Sequence, residues 1–231
     1  METKFVHDHP IAGFYVVDPE TGGYKHTTHT FFDHEPMLSA WGKAIKEGDI
    51  AIDVGACFGS FTLPALALGA TVIAVEPSTD GFEILEANVG VNGWQGRCQV
   101  VRSVLFDGTP YPQALLQEVF GHHYPGKDFV FETLDGLVAR LELKRVDHVK
   151  LDVEGAELGV LEGGHATLER WHPALYIEDH DGINSNPDCV VSSYPASIRS
   201  SERIHEMLQG LGYNIEVMPH SCSRKFIVAR R

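Results

Sequence analysis

A glycine-rich segment beside an acidic side chain marks one place in this 231-residue chain where chemistry could be done. The apolar run Ile50–Val54 contains Asp53 and leads into Gly55 and Gly59, spaced as G-x-x-x-G. Glycines let a backbone pass close to a ligand, and the helix expected behind them opens with free N–H donors. The spacing is not the G-x-G-x-x-G of dinucleotide sites, which disfavours NAD and FAD. A tight strand–helix turn without a ligand is the alternative interpretation.

Glu76 strengthens the ligand-binding interpretation because it ends the next apolar run, 17 residues after Gly59. A carboxylate at that position can accept hydrogen bonds from both hydroxyls of a ribose. Its structural alternative is an exposed residue that precedes the turn proline Pro77. The glycine loop and Glu76 together predict a site for a ribose-containing cofactor.

A second group of ionisable residues follows two later apolar runs, and its members are Lys150, Asp152, Glu154, Glu178, Asp179 and His180. Alternation along the first run places Lys150 and Asp152 on one face, and Glu154 continues that face if the strand stays extended. Charged groups at the edge of a buried strand are costly unless they are paired or functional. A Lys150–Asp152 ion pair, with Glu154 and Glu157 capping the next helix, is the structural alternative.

The same residues are the catalytic candidates, because ligands of open α/β sheets bind at the carboxyl ends of strands. His180 is a base suited to neutral pH. The predicted catalytic set is Asp152, Glu178, His180, Lys150 and Glu154.

Short apolar runs alternate with segments of helical period, which predicts an α/β, doubly wound, mostly parallel seven-stranded sheet. The predicted strands are Ile50–Val54, Thr71–Val75, Cys98–Val101, Val146–Leu151, Ala174–Glu178, Tyr213–Val217 and Lys225–Ala229. The predicted helices are Gly59–Leu68, Thr79–Asn92, Leu134–Leu141, Ala156–Trp171 and Ser200–Leu211.

The end of the chain departs from this alternation. Only seven residues separate Tyr213–Val217 from Lys225–Ala229, too few for a helical crossover, so the two strands should pair antiparallel. A parallel sheet that ends in an antiparallel hairpin is typical of the class I methyltransferase, Rossmann-like fold. We predict that domain over residues 39–231. Residues 1–38 form an accessory segment on the substrate side, with a strand at Phe14–Val17.

Composition excludes several classes of protein. With 18 basic and 32 acidic residues, the net charge of −14 disfavours nucleic acid as a partner. No apolar run reaches about 18 residues and no secretory signal opens the chain, so no membrane partner is expected. The four cysteines form no C-x-x-C pair, which indicates reduced thiols and a cytoplasmic location. A homo-oligomer is compatible with these features.

Longer stretches resemble one family, the FkbM family of S-adenosylmethionine-dependent methyltransferases. The similar segments, within about residues 35 to 180, are Ile52–Ala56, Gly59–Thr62, Ala74–Pro77, Leu85–Asn88, Thr133–Asp135, Val146–Glu157, Val160–Gly164 and Pro173–Glu178. Cys57 and Phe58 depart from the family, which more often has a small polar residue followed by a small or apolar one.

The resemblance implies cofactor roles. Asp53, Gly55 and Gly59, with Ala56 beside them, would face the methionine part of S-adenosylmethionine. Glu76, followed by Pro77, would hold the ribose, and Ser103 and Val104 would flank the adenine. Asp152, Glu178 and Asp179 also resemble the split acidic triad by which some sugar O-methyltransferases hold Mg²⁺; a polar turn is the alternative. Carboxylates suit that ion.

The resemblance therefore implies methyl transfer, and we expect O-methylation of a hydroxyl on a small sugar-like or natural-product metabolite. N-methylation with the same cofactor, a non-enzymatic binding or regulatory domain, and a nicotinamide oxidoreductase are the alternatives. Scattered histidines near the N-terminus, among them His7 and His26, match no compact metal motif. The stretch His26–Phe32 and the loop Asp181–Ser197 are candidates to cover the acceptor.

Overall fold

The computed structural model describes residues 3–6, 13–17, 36–109, 130–153, 155–180, 201–219 and 225–231. Its strands are β1 (Thr3–Val6), β2 (Phe14–Val17), β3 (Ile50–Val54), β4 (Thr71–Val75), β5 (Cys98–Val101), β6 (Val104–Leu105), β7 (Phe131–Glu132), β8 (His148–Leu151), β9 (Ala174–Asp179), β10 (Asn214–Pro219) and β11 (Lys225–Arg230). Its helices are α1 (Pro36–Ala44), α2 (Thr62–Ala67), α3 (Thr79–Val91), α4 (Leu134–Arg140), α5 (Glu157–Glu162), α6 (His165–Trp171) and α7 (Ser201–Gly210).

Seven strands, namely β3, β4, β5, β8, β9, β10 and β11, form the main sheet, which is mostly parallel. Helices separate successive strands of this sheet along the chain up to β10, and the last two strands are antiparallel to their neighbours. This confirms the predicted fold class of a class I methyltransferase. The chain divides into two compact units, Met1–Arg102 and Ser103–Arg231.

In the first unit, β4 lies between β3 and β5, and all three strands are parallel. The register pairs Asp53 with Ala74 and Val75 with Val101. Every residue of β3 after Ile50 is buried, as a strand covered on both faces requires. β1 and β2 form a separate antiparallel pair, and the predicted strand Phe14–Val17 is confirmed.

In the second unit, β8 and β9 are parallel, and β11 lies between β9 and β10 with antiparallel pairing to both. The register of the last pair brings Val217 opposite Ile227. The predicted terminal hairpin, in which these two strands pair antiparallel, is therefore confirmed. Phe226 pairs with Glu178, so β11 runs directly beside the strand that carries the second set of candidate residues.

One predicted helix is wrong. The segment Ala156–Trp171 folds as two helices, α5 and α6, that are separated at Gly163 and Gly164. A Cβ atom on Gly163 would lie 2.1 Å from the backbone oxygen of Phe106. Asp135, at the start of α4, caps α6 by accepting hydrogen bonds from the N–H of Ala166 at 3.0 Å and of Thr167 at 2.7 Å. The break is thus built by tertiary contacts, which helical periodicity does not report.

Other boundaries shift by a few residues. The helix predicted from Gly59 begins at Thr62, since Gly59 has a φ of +105° and cannot lie in a helix. The proposed domain boundary between residues 38 and 39 falls within α1, and the two-domain division remains a prediction. None of the helices in the described part of the chain has the length and apolarity needed to span a membrane.

Candidate active site

The loop after β3 is held at its start by the neighbouring strand. The N–H groups of Gly55 and Ala56 both donate to the carbonyl oxygen of Val75, each at 3.0 Å. Gly55 has a φ of +76° and Cys57 a φ of +49°, so the chain turns through left-handed conformations immediately after the strand. The turn therefore depends on glycine at position 55 and tolerates a cysteine at position 57.

Glu76, the predicted ribose-binding residue, is part of the same loop structure. Its Oε2 accepts the N–H of Cys57 at 2.8 Å, and its Oε1 accepts the N–H of Ser78 at 2.8 Å. The residue is only 6% exposed. A carboxylate can accept about four hydrogen bonds, so these two bonds orient the side chain without by themselves using all of its accepting capacity.

The helix after Glu76 begins in close contact with it. Ser78 caps α3, and its Oγ accepts the N–H of Gly81 at 2.9 Å. A Cβ atom on Gly81 would lie 3.0 Å from the carboxyl carbon of Glu76. The short turn at Pro77 and the glycine in the first helical turn thus bring the positive end of the helix dipole close to this carboxylate, and the interaction between them is attractive.

Two predicted cofactor residues have structural explanations in the first unit. Asp53 is fully buried, and its Oδ2 accepts the hydroxyl of Thr62 at 2.6 Å, which ties β3 to α2. A Cβ atom on Gly59 would lie 2.9 Å from Cδ1 of Leu85, so packing against α3 requires glycine there. Contact of Asp53 and Gly59 with the methionine part of a cofactor remains a prediction.

The predicted adenine-flanking residues begin the second unit. Ser103 is buried, and its Oγ has no hydrogen-bond partner within the described part of the chain. Val104 begins β6, which pairs with β7. A buried hydroxyl in this situation is costly unless a ligand or water satisfies it.

The second set of candidates forms a cluster around the imidazole of His180. Its Nδ1 lies 2.7 Å from Oε1 of Glu157, and its Nε2 lies 3.7 Å from a carboxylate oxygen of both Asp152 and Glu178. Lys150 extends the cluster, with Nζ 3.7 Å from the other oxygen of Asp152. We call these five residues the histidine–carboxylate cluster.

Burial separates the members of the histidine–carboxylate cluster. The side chain of Asp152 is 31% exposed, while those of Lys150, Glu157, Glu178 and His180 are at most 4% exposed. Asp152 is therefore the member that a molecule from solvent can reach. The ion pair between Lys150 and Asp152, considered from the sequence as a structural role, is present.

Glu157 has a larger role than the helix cap considered from the sequence. Besides His180, its Oε1 accepts the N–H of Gly155 at 3.0 Å and of Val153 at 3.2 Å. The carboxylate thus closes the turn after β8 and orients the imidazole. Its place in the first turn of α5, two residues after Gly155, is the signal from which this role could have been suspected.

Asp179 lies apart from this cluster. Alternation along β9 directs it away from Glu178, and its Oδ2 accepts a short hydrogen bond from the hydroxyl of Ser201 at the start of α7. Three groups that could hold a cation come together within 4.8 Å of one another, and they are Asp152, Glu178 and His180. The predicted acidic triad with Asp179 is therefore replaced by a set that contains an imidazole.

Several sequence-based candidates lie outside the described residues. They are Glu154, the histidines His7 and His26, the stretch His26–Phe32 and the loop Asp181–Ser197. We call the loop after β3, residues 55–59, the cofactor loop. Asn88 in α3 donates to this loop, and Ser78 at the start of α3 donates to Glu76, yet neither residue has a predicted role from the sequence. A helix-capping serine before Asp80 and Gly81 is a recognisable pattern, whereas nothing in the sequence shows what Asn88 contacts.

Comparison with known proteins agrees with this fold. The chain resembles the crystal structure of methyltransferase FkbM from Methylobacillus flagellatus KT, with a TM-score of 0.52 and 15% identity over 83% of this chain and 50% of that one. It also resembles a SAM-dependent methyltransferase from Aquifex aeolicus, with a TM-score of 0.51 and 18% identity over 93% and 98% of the two chains. The chain thus spans half the length of the Methylobacillus protein.

Sequence comparison is more specific than these structural likenesses, which at such low identity show the fold alone. No curated protein matches the chain in sequence. The methyltransferase FkbM domain matches residues 53–215, a segment that begins at Asp53 in β3 and contains the histidine–carboxylate cluster. Since that match covers more than half of the chain, the protein belongs to the FkbM methyltransferase family.

Proposed function

We propose that this protein is an S-adenosylmethionine-dependent O-methyltransferase that acts on a hydroxyl of a small sugar-like or natural-product metabolite. The observation that carries the proposal is the exposure of Asp152 at the edge of an otherwise buried histidine–carboxylate cluster. A carboxylate in that position can accept a proton from a hydroxyl that approaches from solvent.

The cofactor half of the proposal rests on the loop after β3. Glu76 is buried, oriented by two backbone N–H groups and placed at the carboxyl end of β4. These features suit a carboxylate that binds ribose hydroxyls. The rest of the cofactor would bind against the loop from Gly55 to Gly59, which turns through a left-handed conformation at Cys57.

When bound, S-adenosylmethionine supplies a methyl group on a sulfonium sulfur. The chain must then align the acceptor oxygen with that methyl group, and alignment in well-oriented cases contributes about 7–11 kcal/mol. As the new C–O bond forms and the C–S bond breaks, the hydroxyl proton passes to Asp152. The electron pair of the C–S bond stays on sulfur, so the products are a methyl ether and neutral S-adenosylhomocysteine.

The other members of the histidine–carboxylate cluster surround Asp152. Lys150 Nζ lies 3.7 Å from one of its oxygens and places a positive charge beside the carboxylate. His180, fixed by Glu157, faces the other oxygen and can receive the proton in turn. The buried position of His180 assigns it to holding a proton and to orientation, while Asp152 contacts the acceptor.

A divalent cation would be a different means of activating the hydroxyl. The candidate ligands are two carboxylates and an imidazole, and Mg²⁺ prefers oxygen ligands, whereas imidazole suits zinc, copper, iron or nickel. Lys150 already supplies a positive charge beside Asp152. We therefore propose proton transfer to Asp152 without Mg²⁺.

Calorimetric titration of the full chain with S-adenosylhomocysteine tests the cofactor assignment, with NAD⁺ titrated in parallel. We expect micromolar binding of S-adenosylhomocysteine, none of NAD⁺, and a loss of about 100-fold in affinity in Glu76→Ala, since hydrogen bonds to charged groups contribute about 1.5–3 kcal/mol each. Glu86→Ala, an exposed glutamate on α3, is the matched control and should bind normally.

If the wild-type chain bound neither ligand, the proposed activity would be overturned and the non-enzymatic domain would take its place. With binding established, radiolabelled S-adenosylmethionine and panels of hydroxylated and amine acceptors distinguish O- from N-methylation. Transfer to amines alone would overturn the O-methyltransferase assignment.

A further inference from the structure

Two asparagines, one in α3 and one at its C-cap, connect parts of the first unit that are far apart in sequence. Asn88 and the C-cap residue Asn92 are four residues apart and so lie on one face of the helix. Asn88 is 1% exposed, and both the nitrogen and the oxygen of its side-chain amide form hydrogen bonds. Its Nδ2 donates to the carbonyl oxygen of Phe58 at 2.9 Å, and its Oδ1 accepts the N–H of Val17 at 2.7 Å.

Asn92 binds the same strand one step further along. Its Oδ1 accepts the N–H of Tyr15 at 2.8 Å, and its Nδ2 donates to the carbonyl oxygen of Tyr15 at 2.7 Å. Residues two apart in a strand direct their backbone polar groups to the same edge. The two asparagines therefore form hydrogen bonds with the backbone of β2 along one edge, as a neighbouring strand would. In β2, the side chains of Phe14, Val16 and Val17 are buried.

Phe58 is the middle of the cofactor loop. Its neighbour Cys57 donates to Glu76, and its other neighbour Gly59 packs against Leu85. The loop is consequently fixed on one side by the Glu76 carboxylate and on the other by the Asn88 amide. A buried amide that lost one of these partners would leave polar groups unsatisfied, which is costly.

We propose that Asn88 is a positioning residue for the cofactor, and that it makes the β1–β2 pair part of the cofactor-binding apparatus. The inference rests on the proposed function of the loop as the S-adenosylmethionine site. Asn88 acts through the loop backbone and through Glu76, so it sets cofactor affinity. The sequence alone predicts a role for the N-terminal segment, residues 1–38, on the substrate side only.

Asn88→Asp tests the loop side of this connection. The variant keeps an oxygen to accept the N–H of Val17, but it replaces the donor that faces the carbonyl of Phe58 with a second acceptor. We expect affinity for S-adenosylhomocysteine, measured by calorimetry on the full chain, to fall roughly tenfold, as for loss of one buried hydrogen bond.

Val89→Ala separates positioning from general loss of stability. Val89 is buried on the same helix, and its truncation leaves both asparagines intact. We expect it to lower the Tm at least as much as Asn88→Asp while leaving the affinity unchanged. If both variants lost affinity in proportion to their loss of Tm, Asn88 would have only a structural role and the inference would be overturned.

Val17→Pro tests the strand side. Proline lacks the N–H that Asn88 accepts, so the amide loses its contact with β2 while the loop residues are unchanged. We expect affinity to fall by about threefold or more. If Asn88→Asp and Val17→Pro both bound S-adenosylhomocysteine with full affinity, the proposed positioning role of Asn88 would be refuted. If the wild-type chain did not bind S-adenosylhomocysteine, the proposed function would be refuted instead.

Discussion

The backbone N–H of Cys57 donates to Oε2 of Glu76 at 2.8 Å, and this bond joins the loop after β3 to the end of β4. Glu76 thus shapes the loop whose ligand it is predicted to bind. The bond requires the left-handed conformation of Cys57, whose φ is +49°. Cofactor binding and loop geometry therefore depend on the same carboxylate.

This relationship predicts opposite effects of two substitutions at position 57. Cys57→Gly keeps the N–H and relieves the left-handed conformation, so binding of S-adenosylhomocysteine should be retained. Cys57→Val places a β-branched residue at a positive φ, which is less favourable for a branched side chain than for cysteine, and should lower both the Tm and the affinity. Thermal unfolding and calorimetry on both variants check the prediction. Equal behaviour of the two would show that the conformation at Cys57 is unimportant.

Asp152→Asn should abolish transfer and spare cofactor binding. Removal of a general base typically costs about 10²–10⁴-fold in rate, and Asp152 belongs to a different unit from Glu76. The measurement is the rate of methyl transfer from radiolabelled S-adenosylmethionine to an acceptor found in the screen. Asp147→Asn, which removes a carboxylate charge from the ion pair with Arg145, is the control. A normal rate in Asp152→Asn would remove this residue from the mechanism.

Methyl transfer should be independent of Mg²⁺. The donor set around His180 includes a nitrogen, and Lys150 neutralises part of the charge of Asp152. We expect the same initial rate after dialysis against EDTA and after addition of Mg²⁺. A rate that vanished with EDTA and returned with Mg²⁺ would contradict the assignment of Asp152 as a base. Recovery with Mn²⁺ alone would assign the cluster as a transition-metal site.

Cys98 should resist alkylation and should make stability fall at high pH. Burial, followed by the nearby charge of Asp53, raises the pKa of its thiol from 9.0 to about 12. Below pH 9 the thiol is protonated in both folded and unfolded chains, so stability is unaffected. Between pH 9 and about 12 the unfolded chain alone loses the proton, so the free energy of unfolding decreases.

Denaturant unfolding at a series of pH values, compared between the wild type and Cys98→Ala, measures this contribution. The alkaline decrease should be smaller in the variant. Mass spectrometry after brief treatment with iodoacetamide at pH 8 should leave Cys98 unmodified in the folded chain. Rapid modification there, or identical pH profiles of the two proteins, would contradict a raised pKa.

Gly163→Ala should destabilise the second unit strongly. The added Cβ would lie 2.1 Å from the backbone oxygen of Phe106, so the backbone must shift. Overpacking of this kind typically costs about 1–3 kcal/mol. Gly90→Ala is the matched control, because its Cβ would meet only a side-chain nitrogen of Gln95 at 3.6 Å. That variant should gain about 0.5–1 kcal/mol from helix propensity. The free energy of unfolding in urea distinguishes the two, and equal stability would disprove the close approach at Gly163.

The strands of the main sheet and the terminal hairpin could be read from the sequence by itself. Ile50–Val54, Thr71–Val75 and Cys98–Val101 match the predicted strands residue for residue. Buried parallel strands appear in a sequence as short apolar runs. The seven-residue connection between the last two predicted strands is too short for a parallel crossover, so those strands must pair antiparallel. These are local properties, which each segment carries regardless of what surrounds it.

The sequence was sufficient to predict which residues belong to the candidate site, but only some of the contacts between their side chains. The glycine loop and Glu76 lie next to each other because two adjacent parallel strands end at the same edge. The partners of individual side chains required the folded chain. Glu157 orients His180 across 23 residues, Asp179 contacts Ser201 instead of a cation site, and Asn88 joins Phe58 to Val17 across 30 and 71 residues.

The sequence by itself determined the fold class, the family and the positions at which ligands should bind, because periodicity, loop lengths and motifs are local. Only the tertiary structure decided where Ala156–Trp171 breaks, since the break depends on Asp135 and Phe106 from distant segments. It also decided that Asp152 is the reachable member of the histidine–carboxylate cluster. Burial and hydrogen-bond geometry are properties of packed neighbours, and those neighbours meet only when the chain has folded.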